Sequence, residues 1–210
     1  MKLHYFDVYG RADPIRMLLT HAKVEFEDHR FPMEEWPALK QSLNLEFGQV
    51  PMLEFEGKQY SQTNSILRFL GSKYGYYPSN AEEAYKADSL VDGLADLIRN
   101  LGGAKNEKDA DKQKELFGAC FASHIPKFFG VVEKRLTENT SKHHLVGEHL
   151  SIADFALAGL LFSAFYNDAS EYTALMRPLV DAFPLLKAYT ENLRDHELKD
   201  FLQTRPVRPF

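Results

Sequence analysis

A small α/β unit of order β-α-β-α-β-β-α, followed by an all-α region, is the fold class this sequence predicts. Three observations carry it. Apolar/polar alternation of the strand kind is confined to roughly the first third of the chain. A run rich in turn formers, Tyr74-Gly75-Tyr76-Tyr77-Pro78-Ser79-Asn80, interrupts the pattern. Beyond it every apolar series has helical spacing. The expected units are therefore residues 1–74, a linker at 75–80, and a helical unit at 81–210.

The elements follow in order. Leu3 to Asp7 is short and β-like. Asp13-Pro14 predicts a helix start, with Asp13 as N-cap and Pro14 at the first helical position, ahead of Ile15, Leu18, Leu19 and Ala22. Val24 to Phe31 alternates as a half-buried strand does, and Glu34 to Leu43 reads as a short helix. Pro51 to Phe55, Gly57, and Lys58 to Tyr60 read as a hairpin. Asn64 to Tyr74 carries Ile66, Leu67, Phe69 and Leu70 on one helical face, with Thr63 as its candidate N-cap. In the second unit, helices are expected over residues 81–101, 110–136, 152–165 and 184–193, with Gly102-Gly103-Ala104 breaking the first of them.

Composition narrows the function classes. With 210 residues, 44% hydrophobic and 26% charged, the chain is neither disordered nor a coiled coil. A net charge of −5 supplies no basic field for nucleic acid or an anionic membrane surface. Cys120 is the one cysteine, so no internal disulfide forms. The N-terminus has no apolar signal-peptide run, and no stretch of about 18 apolar residues marks a membrane span. The expectation is a cytoplasmic protein.

Several residues have the chemistry of a site. Tyr5 lies at the carboxyl end of the first strand, facing a helix start, where a hydroxyl either contacts a ligand or is simply a half-buried strand residue. Thr63, with Gln62 before it, stands where free helix N–H groups attract a carboxylate. Pro51 opens a strand and by itself says little. His143, His144 and His149 lack a partner at metal-ligand spacing, so no metal is expected. Cys120, between Phe117 and Phe121, reads as core.

Taken in order, these segments resemble cytosolic glutathione transferases along essentially the whole chain. The matching motifs are Tyr5-Phe6, Gly10-Arg11-Ala12, Glu35-Trp36-Pro37 with Lys40, Phe47 to Pro51, Tyr60 to Leu70, and Val146 to Phe155, where Ser151 and Asp154 form an S-x-x-D capping pair. The tyrosine-type branch fits best, most like the sigma class and also similar to mu and pi. The resemblance implies a thioredoxin-like first domain that binds glutathione and a helical second domain.

It also implies roles. Tyr5 matches the tyrosine whose hydroxyl bonds the glutathione sulfur, and Arg11 a cation beside that sulfur. Trp36 and Lys40 match contacts to the glycine end. Gln49 and Val50 match the segment that pairs with the cysteinyl backbone, ahead of a cis Pro51. Gln62 and Thr63 match the holders of the γ-glutamyl carboxylate. Asp96, with Asp92 as fallback, matches an acid that reaches the γ-glutamyl amine in the neighbouring subunit, which implies a homodimer. For the acceptor pocket the resemblance suggests Val8, Tyr9, Gly103 and Phe210. Phe47 matches an aromatic that inserts into the partner subunit in some classes and not in others.

The expected function is a glutathione transferase that conjugates the glutathione thiolate to hydrophobic electrophiles, with peroxide reduction drawing on the same thiolate. The alternatives are a glutathione-dependent isomerase of the prostaglandin D synthase kind, and a non-catalytic crystallin-like or ligand-carrier relative.

Overall fold

The computed structural model describes all 210 residues. Its first unit is β1 (Lys2–Phe6), α1 (Asp13–His21), β2 (Glu27–Phe31), α2 (Trp36–Ser42), β3 (Met52–Phe55), β4 (Lys58–Ser61) and α3 (Thr63–Tyr74). The sheet order is β2-β1-β3-β4, with β1 and β2 parallel and the other pairs antiparallel. Central β1 sets Tyr5 opposite Arg30 and Leu3 opposite Leu53, and its middle residues Leu3, His4 and Tyr5 are all buried. Glu56 and Gly57 join β3 to β4 with both residues at positive φ, the two-residue turn that suits strand twist.

The second unit is helical: α4 (Ala81–Asn106), α5 (Ala110–Ala119), α6 (Ile125–Glu138), α7 (Ile152–Leu160), α8 (Thr173–Asp181), α9 (Pro184–Asn192) and α10 (Lys199–Thr204). Wider turns at 120–124, 161–165 and 193–197 prolong α5, α7 and α9. Asn80 caps α4, its side chain accepting the N–H groups of Glu82 and Glu83. The α7 start is held by Asp154, fully buried, which accepts the Ser151 N–H at 2.7 Å, the Ser151 hydroxyl at 2.8 Å, the Leu145 N–H at 2.9 Å and the Tyr189 hydroxyl at 3.0 Å. One continuous hydrophobic core runs from Leu3 and Ile15 through Leu67 to Phe155 and Phe165, so the two units share it. α1 packs against α7, where Pro14 fills the space a side chain at Gly159 would need.

Four local expectations are corrected, and two helices are additional to those expected. β2 begins at Glu27, and Val24 belongs to the preceding turn. Asp13 is not a cap: Gly10–Ala12 form a short 3-10 turn that runs directly into α1, and the Asp13 carboxylate turns inward to arginines. Thr63 is the first residue of α3; the cap position is Gln62, at φ +70°. Gly102 and Gly103 do not break α4, which runs on to Asn106 with Ala104 buried against the core. α8 and α10 carry no clear signal, because Pro178 interrupts the first and the second is only six residues long.

Candidate functional site

Tyr5 is the penultimate residue of the central strand, with its ring inside and only 8% of its surface exposed. The following turn folds back over it. Gly10, at φ +45°, lets the backbone approach so closely that a Cβ there would lie 2.7 Å from the Tyr5 hydroxyl oxygen. The Arg11 N–H then donates to that oxygen at 3.1 Å. Burial pushes the phenol pKa up, against the Arg11 amide and the charges of Arg11 and Arg16. The hydroxyl is therefore protonated at neutral pH. Its oxygen already accepts one hydrogen bond, and its own proton is free to be donated.

A cleft of about 440 Å³ opens beside it. Tyr5, Arg11, Trp36, Lys40, Gln49, Val50, Pro51, Gln62 and Thr63 all line it. Residues far apart in the chain meet here because the ends of β1 and α1, the loop before β3, and the β4–α3 junction share one end of the sheet. Trp36 is fixed by stacking on Phe31 and by the edge of Phe6. The Lys40 ammonium lies 5.9 Å from the Trp36 ring. Gln62 donates to the Gln49 side chain at 3.2 Å, and Thr63 donates its hydroxyl to the Arg11 carbonyl at 3.1 Å. The α3 N-terminus thus presents its free N–H groups to the cleft. The Val50–Pro51 peptide is cis. Cationic Arg11 and Lys40, the helix N-terminus and a neutral phenol make a site for an elongated, anionic, peptide-like ligand.

A second cleft of about 480 Å³ shares Tyr5, Arg11, Gln62 and Thr63 with the first, adds Gly10, then runs between the units. Leu94, Ala95, Ile98 and Arg99 of α4, and Ala156, Gly159, Leu160 and Ser163 of α7 and the turn after it, form its walls. Sequence reasoning missed these residues. The available signal was helical spacing of small side chains on α7, which let the helix lie close to α1. None of Val8, Tyr9, Gly103 and Phe210 lines this cleft. Tyr9 is buried under the Arg205 guanidinium, 3.8 Å from its ring centroid. The Phe210 carbonyl accepts the Tyr9 N–H at 2.8 Å, and its exposed ring meets Lys105. Gly103 lies on an open face of α4, and the carbonyl of half-buried Val8 is held by Arg16.

Asp96 lines neither cleft of its own chain; it is exposed and paired with Arg99 at 2.7 Å. Asp92 lines the second cleft and pairs with Arg68 at 3.0 Å. Phe47 is exposed. His144 faces Glu197, His143 and His149 are exposed, and no group of three or more His, Cys, Asp or Glu side chains is placed to hold a metal ion. Cys120 is buried, and burial pushes its thiol pKa up. No helix is long and apolar enough to cross a membrane.

Comparison with known proteins meets this geometry. Residues 1–72 match the glutathione S-transferase N-terminal domain, and residues 95–205 match the C-terminal domain. The chain is 31% identical to "Probable glutathione S-transferase 7" of Caenorhabditis elegans over 100% of its own length and 98% of the relative's.

The chain belongs to the glutathione S-transferase family.

It is 32% identical to "Glutathione S-transferase 2" of Manduca sexta, over 99% of this chain and 97% of that protein. Among solved structures, prostaglandin synthase D of Nilaparvata lugens superposes with a TM-score of 0.85 at 28% identity, covering 99% of this chain and 98% of that one. A hookworm glutathione S-transferase from Necator americanus, described as monomeric, gives 0.84 at 33% identity over 100% and 98% of the two chains. The fold is thus the glutathione S-transferase α/β domain followed by its helical domain, and the protein is a transferase that uses glutathione.

Proposed function

We propose that glutathione lies in the cleft beside Tyr5 and that its sulfur sits where the two clefts meet. The observation that carries this reading is the Arg11 N–H donated to the Tyr5 oxygen at 3.1 Å, which leaves the phenol proton for the sulfur. A free thiol has a pKa of about 8.5, so most of it is protonated at neutral pH. A phenol donor and the Arg11 charge favour the thiolate, the reactive nucleophile. Tyr5 acts as donor and not as base, because its raised pKa keeps it neutral.

Lys40 and Trp36 receive the glycine end, the Val50 backbone pairs with the cysteinyl backbone in the manner of an added strand, and Gln62, Thr63 and the α3 N-terminus take the γ-glutamyl carboxylate. The thiolate attacks an electrophilic carbon held in the second cleft, whose apolar walls suit hydrophobic substrates. The carbon–sulfur bond forms; in a displacement the leaving group departs with the electron pair of its bond to carbon, and in a conjugate addition that pair moves onto the acceptor, which then takes up a proton. Asp96, on an exposed face of α4, acts on the γ-glutamyl amine of a partner subunit, so the assembly is a homodimer. The protein works in the cytoplasm, with residues 1–74 and 81–210 as its two domains.

Likeness to a prostaglandin synthase supports a second reading, a glutathione-dependent isomerase in which glutathione serves as cofactor and is not consumed.

The deciding experiment follows the ultraviolet absorbance of the thiolate as glutathione is titrated into the wild type and Tyr5→Phe. Saturable thiolate at neutral pH in the wild type, lost in the variant, is the expected result. Binding without thiolate supports a carrier, and no binding supports a crystallin-like relative. Sedimentation of the wild type tests the homodimer.

A further inference from the structure

We propose that the last six residues, Arg205–Phe210, form a strap that positions the turn between β1 and α1, with Arg205 a positioning residue that acts on Tyr5 and Arg11 through Asp13 and Tyr9. The inference rests on the thiolate role of Tyr5 and extends it to the far end of the chain.

The strap is bonded on two sides. Towards the turn, Arg205 donates to the Asp13 carboxylate at 2.6 Å and lies over the Tyr9 ring at 3.8 Å. The Arg208 N–H donates to the Tyr9 hydroxyl at 3.0 Å, the Arg208 guanidinium to Asp7 at 2.7 Å, and the Tyr9 N–H to the Phe210 carbonyl at 2.8 Å. Towards the helical domain, Arg205 donates to the Phe162 carbonyl at 2.7 Å, and Asn167 donates to the Arg208 carbonyl at 3.0 Å. Six residues of tail thus connect the turn to the segment that follows α7, the helix that walls the second cleft.

The turn has no regular partner strand to fix it. Its position is set at its two ends and from above and below. Arg16, buried, donates to the Val8 and Tyr9 carbonyls at 2.8 and 3.3 Å from the interior. Asp13 closes the far end, two residues beyond the Arg11 amide that bonds Tyr5. Asp13 is completely buried; burial pushes its carboxyl pKa up, and Arg205 is the foremost charge opposing that rise, followed by Arg16. Without Arg205, a buried carboxylate keeps only the longer 3.4 Å contact to Arg16, and it rearranges or takes a proton. Either change moves the α1 start and, with it, the Arg11 amide and charge beside Tyr5. The charged groups that bear on the Tyr5 hydroxyl are Arg11, Arg16 and Asp13, so Arg205 reaches it only through Asp13 and the turn.

The test compares wild type, Arg205→Met, Arg205→Lys, Arg208→Gln and Tyr9→Phe, with Tyr5→Phe as control. Each is read by circular dichroism and melting temperature, by the pH-dependence of thiolate absorbance in the glutathione complex, and by kcat and KM with an aryl halide electrophile. Arg205→Met is expected to raise the apparent thiol pKa by about one unit. Its kcat should fall on the order of tenfold, short of the hundredfold that an ångström's misplacement can cost, with KM for glutathione nearly unchanged. Arg205→Lys should recover part of the pKa shift, because the charge beside Asp13 returns without the second hydrogen bond. Arg208→Gln and Tyr9→Phe should shift the titration less, in the same direction. A folded Arg205→Met with lowered melting temperature and an unchanged thiol pKa overturns the proposal. If that variant does not fold, unchanged titrations in both Arg208→Gln and Tyr9→Phe overturn it. Failure of Tyr5→Phe to alter the thiolate refutes the role of Tyr5 itself, a result distinct from the strap's.

Discussion

Gly10→Ala is the sharpest perturbation of the proposed thiolate site, because one added methyl group meets the hydroxyl on which the mechanism depends. The new Cβ would lie 2.7 Å from the Tyr5 oxygen and 3.0 Å from Cε1, roughly 0.7 Å short of ordinary contact at the oxygen. The backbone adds to this, since φ is +45° at Gly10 and an L side chain in that region costs about 1–2 kcal/mol. Tyr5 is 8% exposed and set in a central strand, so the ring has little freedom to retreat; the turn must move, and it carries the Arg11 amide with it. A displacement of several tenths of an ångström at a hydrogen bond to the reacting atom should lower kcat by roughly 10- to 100-fold. The apparent thiol pKa should rise in step. Gly57→Ala is the control. It carries the same kind of strain at φ +73°, but nothing lies within 4 Å of its Cβ and it is remote from the cleft. It should lose stability by a comparable amount and keep its activity. The assay is steady-state kinetics with an aryl halide, together with thermal melts of both variants. Equal kcat and thiol titration in Gly10→Ala and wild type would refute the contact argument.

Three further outcomes are expected. Lys40→Met removes the cation from the glycine end of the cleft and should raise the Kd for glutathione roughly five- to tenfold, by calorimetry, with kcat at saturation little changed. Asp154→Ala leaves four donors without their acceptor in a fully buried site and should cost about 3–5 kcal/mol, a fall of roughly 10 °C in Tm. For pH, His4 is 3% exposed, and burial lowers its pKa below the ordinary value of 6.5 despite Glu54 beside it. The unfolded chain then takes up a proton below that value where the folded chain does not, so the contribution is present above about pH 6.5 and is lost as pH falls below it. Tm measured from about pH 7 to about pH 5 should fall less steeply in His4→Gln than in wild type.

The parts of this molecule that were legible in sequence are those built from neighbours along the chain. The β-like run of β1, the hairpin at Glu56-Gly57 and the Ser151–Asp154 cap are local patterns, and each stands where its residues put it. That Tyr5, Arg11, Trp36, Lys40, Gln62 and Thr63 line one cleft was legible for a related reason: they fall in short motifs at element ends, and the fold brings those ends together. Asp13 was misread because its identity as a cap is a local guess, while its true partner, Arg205, lies 192 residues away. Thr63 was misread by one position because Gln62 takes the positive φ that ends β4. The second cleft was illegible because packing creates it. Ala156, Gly159 and Ser163 look like ordinary small helix residues until α1 lies against them.

That contrast has a consequence for how the two halves of the site can change. Tyr5, Arg11, Gln62 and Thr63 belong to both clefts, so whatever sits at their junction feels both. The remaining walls are separate: Trp36, Lys40 and Gln49 touch only the first cleft, while Leu94, Ile98, Ala156 and Leu160 touch only the second. The cationic side chains and the helix N-terminus all lie in the shared or first set, apart from Arg99, which lines the second cleft and pairs with Asp96. The α4 and α7 side chains can therefore be enlarged, shrunk or made polar without touching the walls that belong to the first cleft alone, provided Pro14 keeps its seat against Gly159 and the units stay in register. A fold arranged this way lets the walls of one cleft vary while those of the other stay fixed. Similar scaffolds can then carry a transferase from Manduca sexta and a prostaglandin synthase from Nilaparvata lugens.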